Sequence, residues 1–192
     1  MHDLLQELGK EIVHCESPEE PSRLSRLWLT EDVIHVLKCN RSLEMLKLID
    51  LRDSWNLIET PDFTEVPNLE QLILQHCTRL SKIHVSLGEL KLLILLDLNG
   101  CKCLKSLPHK ISLESLKVFI LSDCSRLKTL PEIVGNMSCL LELYLDGTAI
   151  EELPLSVECL TGLIKLDLSG SAIREWSCTF PSNNLKILSL WM

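Results

Sequence analysis

The sequence SCLLELYLDGTAIEELP at residues 138–154 is followed by the closely similar sequence TGLIKLDLSGSAIREW at residues 161–176. Both stretches fit the pattern L-x-x-L-x-L-x-x-(C/S/T), and their first leucines, Leu140 and Leu163, lie 23 residues apart. A repeat of about this length is a structural unit that cannot bury its apolar side alone. Because stacked copies can share one continuous core, the two stretches predict a solenoid.

The same pattern extends over the chain from residue 46 onward. Its first leucine recurs at steps of 22 to 24 residues, at Leu46, Leu69, Leu93, Leu116, Leu140, Leu163 and Leu185. In each copy the fourth and sixth places are apolar, and this alternation directs both side chains to one side of a short strand. We therefore predict a leucine-rich-repeat solenoid with a parallel concave sheet, closed on its convex side by short helices or 3₁₀ turns.

Residues 1–40 have a different pattern, because Leu4, Leu5, Leu8 and Ile12 recur at three- and four-residue steps. Such spacing is typical of an amphipathic helix, and a second helix is predicted from residue 30 to about residue 39. The chain is therefore divided into a short α-helical remnant at residues 1–40 and about seven repeats at residues 41–192, the last of them incomplete. The predicted fold class is α/β.

The charge of the chain argues against two classes of partner. The net charge is -8, whereas nucleic acids and anionic membranes attract positively charged surfaces. The longest apolar run, residues 92–96, is too short to cross a bilayer. We expect neither a nucleic-acid partner nor a membrane partner.

Nine cysteines are present, an odd number, and the first residues lack the basic leader and apolar run of a secretory signal. Both observations favour reduced thiols in a cytosolic protein. Cys77, Cys101 and Cys124 all occupy the ninth place of their repeats, where we expect an internal ladder of small side chains. The cysteine spacing does not suggest a metal site.

Strand positions that alternate with the buried leucines are expected to line the concave face. There, Leu48, Ile73, Leu95, Ile120 and Tyr144 would form an apolar row among carboxylates. Apolar groups rimmed by acids suit a protein or peptide partner, although an acidic face that only keeps the solenoid in solution explains the same pattern. The candidate partner-binding residues are Asp50, Arg52, Ile73, Gln75, Asp97, Asn99, Ile120, Asp123, Tyr144, Asp146, Lys165 and Asp167.

Catalytic patterns are not recognised in the sequence. None of the six histidines lies at a recognised spacing from a nucleophile and a carboxylate, and the chain has no glycine-rich phosphate loop. We expect no enzyme activity, no catalytic residue, no cofactor and no metal.

Two parts of the chain resemble one family. MHDLLQELGKEIV at residues 1–13, SRLW at residues 25–28 and EDVIHVLK at residues 31–38 resemble plant intracellular disease-resistance receptors. These receptors combine a Toll/interleukin-1-receptor-like domain, a nucleotide-binding region and leucine-rich repeats. The repeats LIETPDFTEVPNLEQLIL at residues 57–74 and residues 130–170 are similar to the same receptors' repeat domain.

The resemblance implies that residues 1–40 are the end of the nucleotide-binding and winged-helix region, with Met1, His2 and Asp3 as its MHD motif. In such receptors the motif's histidine, here His2, lies near the phosphates of bound ADP, and Asp3 supports that loop. The chain begins at this methionine and ends within the seventh strand, so we expect a truncated part of a receptor.

The function implied by the resemblance is non-catalytic recognition or regulation in plant defence, in the cytoplasm, with the nucleus as a second compartment. The implied partners are a pathogen effector or a guarded host protein, and other domains of the same receptor family. Two alternatives stay open. The chain is a degenerate truncated product without activity, or it is part of an ADP-binding or NAD-cleaving receptor whose missing domains carry the chemistry.

Overall fold

Eight parallel strands form one sheet that runs the length of the stack. The computed structural model describes residues 43–173 and 184–190, together with the backbone of residues 26–27. In spatial order the strands are β1 (Arg26–Leu27), β2 (Leu48–Asp50), β3 (Gln71–Ile73), β4 (Leu95–Asp97), β6 (Val118–Ile120), β8 (Glu142–Tyr144), β9 (Lys165–Asp167) and β10 (Ile187–Ser189). A second sheet pairs β5 (Lys110–Ile111) with β7 (Glu132–Ile133). The predicted leucine-rich solenoid is confirmed.

The register of the sheet matches equivalent places of successive repeats. Ile49 pairs with Leu72, Leu72 with Leu96 and Leu96 with Phe119, and the same series continues through Leu143, Leu166 and Leu188. All of these residues occupy the fourth place of the repeat. One coil of the stack therefore corresponds to one copy of the sequence pattern.

The core is a column of leucines beneath the sheet. The first-place leucines from Leu46 to Leu163 are at most 3% exposed, as are the sixth-place leucines from Leu51 to Leu168. Each buried leucine contributes roughly 1.5–3 kcal/mol relative to an exposed one. By contrast, Leu188 in β10 and Leu190 just after it are 44% and 56% exposed, because no coil among the described residues covers their far side.

The arc opposite the sheet differs from coil to coil. In two coils it contains a 3₁₀ helix, Val85–Glu89 or Leu155–Cys159, as predicted. The two coils between them instead form β5 and β7, joined by hydrogen bonds from Glu132 N to His109 O (2.9 Å) and from Val134 N to Ile111 O (2.8 Å). Here the expectation of helices or turns was wrong, because the β-branched Ile111 and Ile133 favour an extended backbone and point into the core.

The sheet begins before the first copy of the pattern. Strand β1 pairs in parallel with β2, with Arg26 opposite Leu48 and Leu27 opposite Ile49. It lies within the segment expected to be a helical remnant, and it belongs to the SRLW sequence. The two helices predicted within residues 1–40 lie outside the described residues, and the division at residue 40 stays a prediction.

Candidate functional site

Outward-facing strand residues form two columns, which together we call the sheet face. The register aligns Leu48, Gln71, Leu95, Val118, Glu142 and Lys165 in one column, and Asp50, Ile73, Asp97, Ile120, Tyr144 and Asp167 in the other. The middle residue of each strand points into the core, so the residues on either side of it point outward. The predicted apolar row therefore zigzags between the columns, and Val118, which the prediction omitted, fills the gap between Leu95 and Ile120.

Asp50 and Arg52 form a closed ion pair at the β2 end of the sheet face. The Asp50 side chain is 3% exposed and accepts hydrogen bonds from Arg52 Nε (2.9 Å) and Nη2 (2.7 Å). The hydrogen bond to Asp50 raises the pKa of Arg52, so the guanidinium stays charged at neutral pH. Since Arg52 donates to both carboxylate oxygens of Asp50, Asp50 offers little charge to a partner.

Asp97 is likewise enclosed, being 5% exposed. It accepts hydrogen bonds from Gln75 Nε2 on the preceding coil (2.6 Å) and from the backbone N–H of Asn99 (3.0 Å). These bonds tie two coils together at the sheet face. Asp97 and Gln75, both predicted to bind a partner, therefore hold the surface in place and present less polar surface than the sequence suggested.

Tyr144 lies at the centre of a polar group near the other end of the sheet face. Its hydroxyl donates to Glu142 Oε2 (2.5 Å), and Lys165 Nζ lies 4.6 Å from the centre of its ring. The hydrogen bond to Glu142 raises the pKa of Tyr144, and a cation over an aromatic face is attracted to it. Glu142 was absent from the predicted site, although its position two residues before Tyr144 on one strand could have identified it.

Two further carboxylates remain open to solvent near this group. Asp146 is half-buried and accepts a hydrogen bond from Ser122 Oγ (2.5 Å). Asp167 accepts from Ser169 N (3.1 Å) and Ser169 Oγ (2.7 Å). Burial alone would raise the pKa of Asp167, but the hydrogen bonds from Ser169 bring it below its ordinary value. Asp167 is therefore negative at neutral pH.

The edge of the sheet face is a row of left-handed residues, one in each coil. Asp53, His76 and Asp123 have φ values of 59°, 57° and 57°, and Gly100, Gly147 and Gly170 fill the equivalent place in the other coils from β2 to β9. This conformation costs a side-chain-bearing residue roughly 1–2 kcal/mol. It turns the exposed Asp123 carboxylate outward over Gly147, where a Cβ would lie 2.7 Å from Asp123 Oδ1.

The predicted cysteine ladder is confirmed beneath this edge. Each thiol donates to a carbonyl oxygen of the preceding coil: Cys77 to Leu51 (3.1 Å), Cys101 to Leu74 (3.1 Å) and Cys124 to Leu98 (3.2 Å). Burial raises the pKa of Cys77 to about 11 and that of Cys124 to about 12. These thiols are therefore structural, and they align the coils that carry the sheet face.

A serine, a histidine and an aspartate meet on the arc opposite the sheet. His84 Nδ1 lies 2.8 Å from Ser86 Oγ and 3.5 Å from Asp62 Oδ1. In a hydrolytic triad the serine and the carboxylate must contact different ring nitrogens, whereas here both approach the same one. His84 instead accepts from Ser86 N and caps the 3₁₀ helix Val85–Glu89, beside a pocket of about 550 Å³. This geometry does not support nucleophilic catalysis.

Metal-binding clusters and membrane-spanning helices are both absent from the part of the chain that the structure describes. No group of three or more histidine, cysteine or acidic side chains there is arranged to hold a metal ion. Over the same residues, no helix has the length and apolar character needed to span a membrane. His2 and Asp3 lie outside the described residues, so their predicted contact with ADP stays a prediction.

Comparison with known proteins identifies similar repeats. Residues 112–185 match the model of the leucine-rich repeats of "Disease resistance protein RPS4B-like". The chain is 43% identical over 83 residues to TMV resistance protein N of Nicotiana glutinosa. This match covers 43% of this chain and 7% of that protein. It is 48% identical over 52 residues to disease resistance protein RUN1 of Vitis rotundifolia, covering 27% of this chain and 4% of that protein.

A third relative matches a longer stretch. Protein SUPPRESSOR OF npr1-1, CONSTITUTIVE 1 of Arabidopsis thaliana is 38% identical over 96 residues, covering 50% of this chain and 6% of that protein. The chain thus spans less than a tenth of the length of these relatives. A solved leucine-rich-repeat protein of Leptospira interrogans, LIC12759, covers 88% of this chain and 64% of its own at 19% identity, with a TM-score of 0.23.

Proposed function

We propose that this chain, whose repeats are similar to those of plant disease-resistance receptors, is a recognition and regulatory part of such a receptor and binds protein through its sheet face. The similarity extends over residues 112–185, which include β6, β8 and β9. All six sheet-face residues on these strands are half-buried, whereas Asp50 and Asp97 on earlier strands are enclosed. The proposal is therefore strongest for the coils between β4 and β9.

One observation carries this proposal. The half-buried Leu95, Val118, Ile120 and Tyr144 form a continuous apolar path, and open carboxylates border it. The carboxylates are Asp123, Asp146 and Asp167. Apolar side chains grouped on a surface and rimmed by charge are typical of protein interfaces. The sign of the rim favours a partner segment that combines basic and apolar side chains.

The partner class follows from the kind of receptor. We propose a pathogen effector or a guarded host protein, encountered in the cytoplasm or the nucleus, or another domain of the same receptor family. Binding needs no catalytic group, and the His84, Ser86 and Asp62 geometry is consistent with such a non-catalytic role.

The test reverses the rim while keeping the fold. The variant Asp123→Lys/Asp146→Lys should lose at least about tenfold of its captured partner in co-immunoprecipitation from infected leaf tissue, since like charges replace attractive pairs at an interface. The matched control Glu89→Lys/Glu132→Lys changes the net charge equally, but on exposed residues of the opposite arc. If the control lost the partner and the rim variant retained it, the binding surface would lie elsewhere.

A further inference from the structure

One flank of the stack is basic, although the whole chain carries a net charge of -8. The flank lies where each coil turns from the sheet toward the opposite arc. Residues 77–88, 101–113 and 124–131 contain no aspartate or glutamate. Arg79, Lys102, Lys105, Arg126 and Lys128 are all exposed there, and we call these five residues the basic flank.

The fold places these five cations near one another. Cys77, Cys101 and Cys124 stack in successive coils, and the basic residues follow within five positions of each thiol. The neighbouring coils are also in register at this flank. Ser81 N donates to Ile58 O (2.9 Å), and the backbones of Glu59 and Lys82 form an isolated parallel β-bridge. Coils stack about 4.8 Å apart, so that equivalent side chains of adjacent coils are close enough to repel.

Little within the described residues neutralises this charge. Among the described residues, no ion pair or side-chain hydrogen bond involves Lys102, Lys105, Arg126 or Lys128. Arg79 makes one long hydrogen bond to Asn56 (3.4 Å). Lys82, by contrast, is paired with Glu59 at 2.6 Å, and we leave it outside the basic flank for that reason. A ligand with acidic groups would therefore relieve a repulsion that the protein itself leaves in place.

The two ends of the basic flank differ. On the preceding coil, Trp55 and Ile58 are 63% and 54% exposed, so this end of the basic flank presents two large apolar side chains. On the following coil, the exposed residues are Glu151 and Glu152. The surface therefore changes from apolar through basic to acidic along the stack, and it would select both the composition and the placement of a ligand.

We propose that the basic flank binds a short, extended, acidic peptide segment of a protein partner, with an aromatic or apolar residue at one end. The apolar residue would contact Trp55 and Ile58, and its carboxylates would face Arg79, Lys102 and Arg126. From the coil of Trp55 to that of Arg126 is three coil steps, about 14 Å, or about four residues of extended chain. Glu151 and Glu152 limit the segment at the other end by like-charge repulsion.

A peptide fits this surface better than a nucleic acid does. The basic flank is narrow, and the row of left-handed residues beside it contributes Asp53 and Asp123. A long polyanion would overlap these carboxylates and the acidic sheet face, and the net charge of the chain would repel it. A five-residue peptide is short enough to stay on the cationic strip.

The probe is the labelled peptide acetyl-Trp-Asp-Glu-Asp-Glu-amide, titrated with the full chain at low salt and followed by fluorescence polarisation. A control peptide in which Asn replaces each Asp and Gln each Glu should bind at least about tenfold more weakly. Added salt should weaken binding of the acidic peptide, because exposed charges are screened. The variant Lys102→Glu/Lys128→Glu should bind the acidic peptide about tenfold more weakly than the parent chain does. The control Lys117→Glu/Lys186→Glu should bind it as the parent does. The two variants change the net charge equally, and circular dichroism verifies that both are folded.

The apolar end has its own test. Trp55→Ala should weaken binding of the peptide about threefold. A peptide with its tryptophan moved to the middle should lose a similar factor in binding to the parent chain. Equal losses in the two charge-reversed variants would overturn the proposal, and so would equally tight binding of a single-stranded oligouridylate of the same charge. Either result would leave protein binding at the sheet face untouched, since the two surfaces share no residue.

Discussion

At the scale of single residues, the ninth place of each repeat is the clearest link between sequence and structure. Cys77, Cys101 and Cys124 were predicted to form a ladder, and each donates to the preceding coil. Thr148 occupies the same place but donates to Leu145 O within its own coil (2.7 Å). The place is therefore predictable from spacing, whereas the hydrogen-bond partner depends on the length and chemistry of the side chain.

The enclosure of Asp50 and Asp97 could not be predicted in the same way. Both occupy outward strand positions, which the alternation of the sequence identified correctly. Their burial, however, depends on how Arg52 and Gln75 fold over them, and on a contact with a neighbouring coil in the case of Asp97. Side-chain conformation across coils is not encoded in a repeat pattern, so the sequence overestimated the charge available to a partner.

Gly162 should tolerate substitution poorly. A Cβ there would lie 1.9 Å from the carbonyl oxygen of Ser138 on the preceding coil, which real structures never show. We expect Gly162→Ala to lower the free energy of unfolding by about 3 kcal/mol, since the backbone must shift. Gly170→Ala is the control: its φ is 64° but its nearest neighbour is 3.9 Å away, so only about 1 kcal/mol is expected. Equal values in urea denaturation would contradict the close approach of these coils.

The pKa of Cys124 predicts a loss of stability in alkali. Burial raises it from an ordinary value of 9.0 to about 12 in the folded chain. The stability that comes from keeping this thiol protonated is complete below about pH 9 and is lost as the pH rises toward about 12. Between about pH 8 and about pH 10.5, the free energy of unfolding should fall by about 2 kcal/mol more in the parent than in Cys124→Ala.

Cys159→Ala provides the control for this titration, because Cys159 is exposed. Its pH profile should follow that of the parent chain in the same urea experiment. A Cys124→Ala profile as steep as the parent profile would show that other groups cause the alkaline loss.

At the scale of elements, the strands were predictable and the opposite arc was only partly so. Strict alternation of apolar side chains locates β2, β3, β4, β6, β8, β9 and β10, because one face of each strand must be buried. The arc segments have only one or two inward residues each, and an extended chain or a 3₁₀ turn can place these equally well. Two coils therefore formed the predicted 3₁₀ helices, and the coils of Ile111 and Ile133 formed strands instead.

Both 3₁₀ helices contain a serine that fastens them to the coil before. Ser86 Oγ accepts from Phe63 N (2.8 Å), and Ser156 Oγ accepts from Ile133 N (2.9 Å). We expect Ser156→Ala to destabilise the fold by about 1–2 kcal/mol in urea denaturation, because it leaves a backbone N–H without its acceptor. Ser106→Ala, at an exposed position, should change stability by less than about 0.5 kcal/mol. A neutral Ser156→Ala would mean that water replaces the hydroxyl.

At the scale of the whole molecule, the stacking of coils was predictable because the repeat length is nearly constant. The start of the sheet was less so. Strand β1 belongs to the SRLW sequence, which lacks the full leucine pattern, yet it extends the sheet by one strand. Two residues of parallel pairing need only a matching edge, and β2 provides one without requiring a further copy of the repeat.

Stability should vary along the stack. Leu96, in the fourth place of a central coil, is fully buried, whereas Leu188, in the same place of the coil of β10, is 44% exposed. We expect Leu96→Ala to cost about 2–5 kcal/mol and Leu188→Ala less than about 1 kcal/mol, since a half-exposed side chain leaves little cavity. Amide hydrogen exchange of the parent should be slowest in β4 and β6 and fastest in β10. Uniform protection would argue for a single cooperative unit.

The thiol-to-carbonyl ladder has a consequence for how such a gene can change. Cys77, Cys101 and Cys124 make the same bond to the coil before, so their coils present interchangeable joints. An in-frame duplication or deletion of one of these repeats by unequal crossing-over would rejoin equivalent surfaces, because each coil meets only its immediate neighbours. The protein could thus gain or lose a step of binding surface in one recombination event without a new core having to evolve.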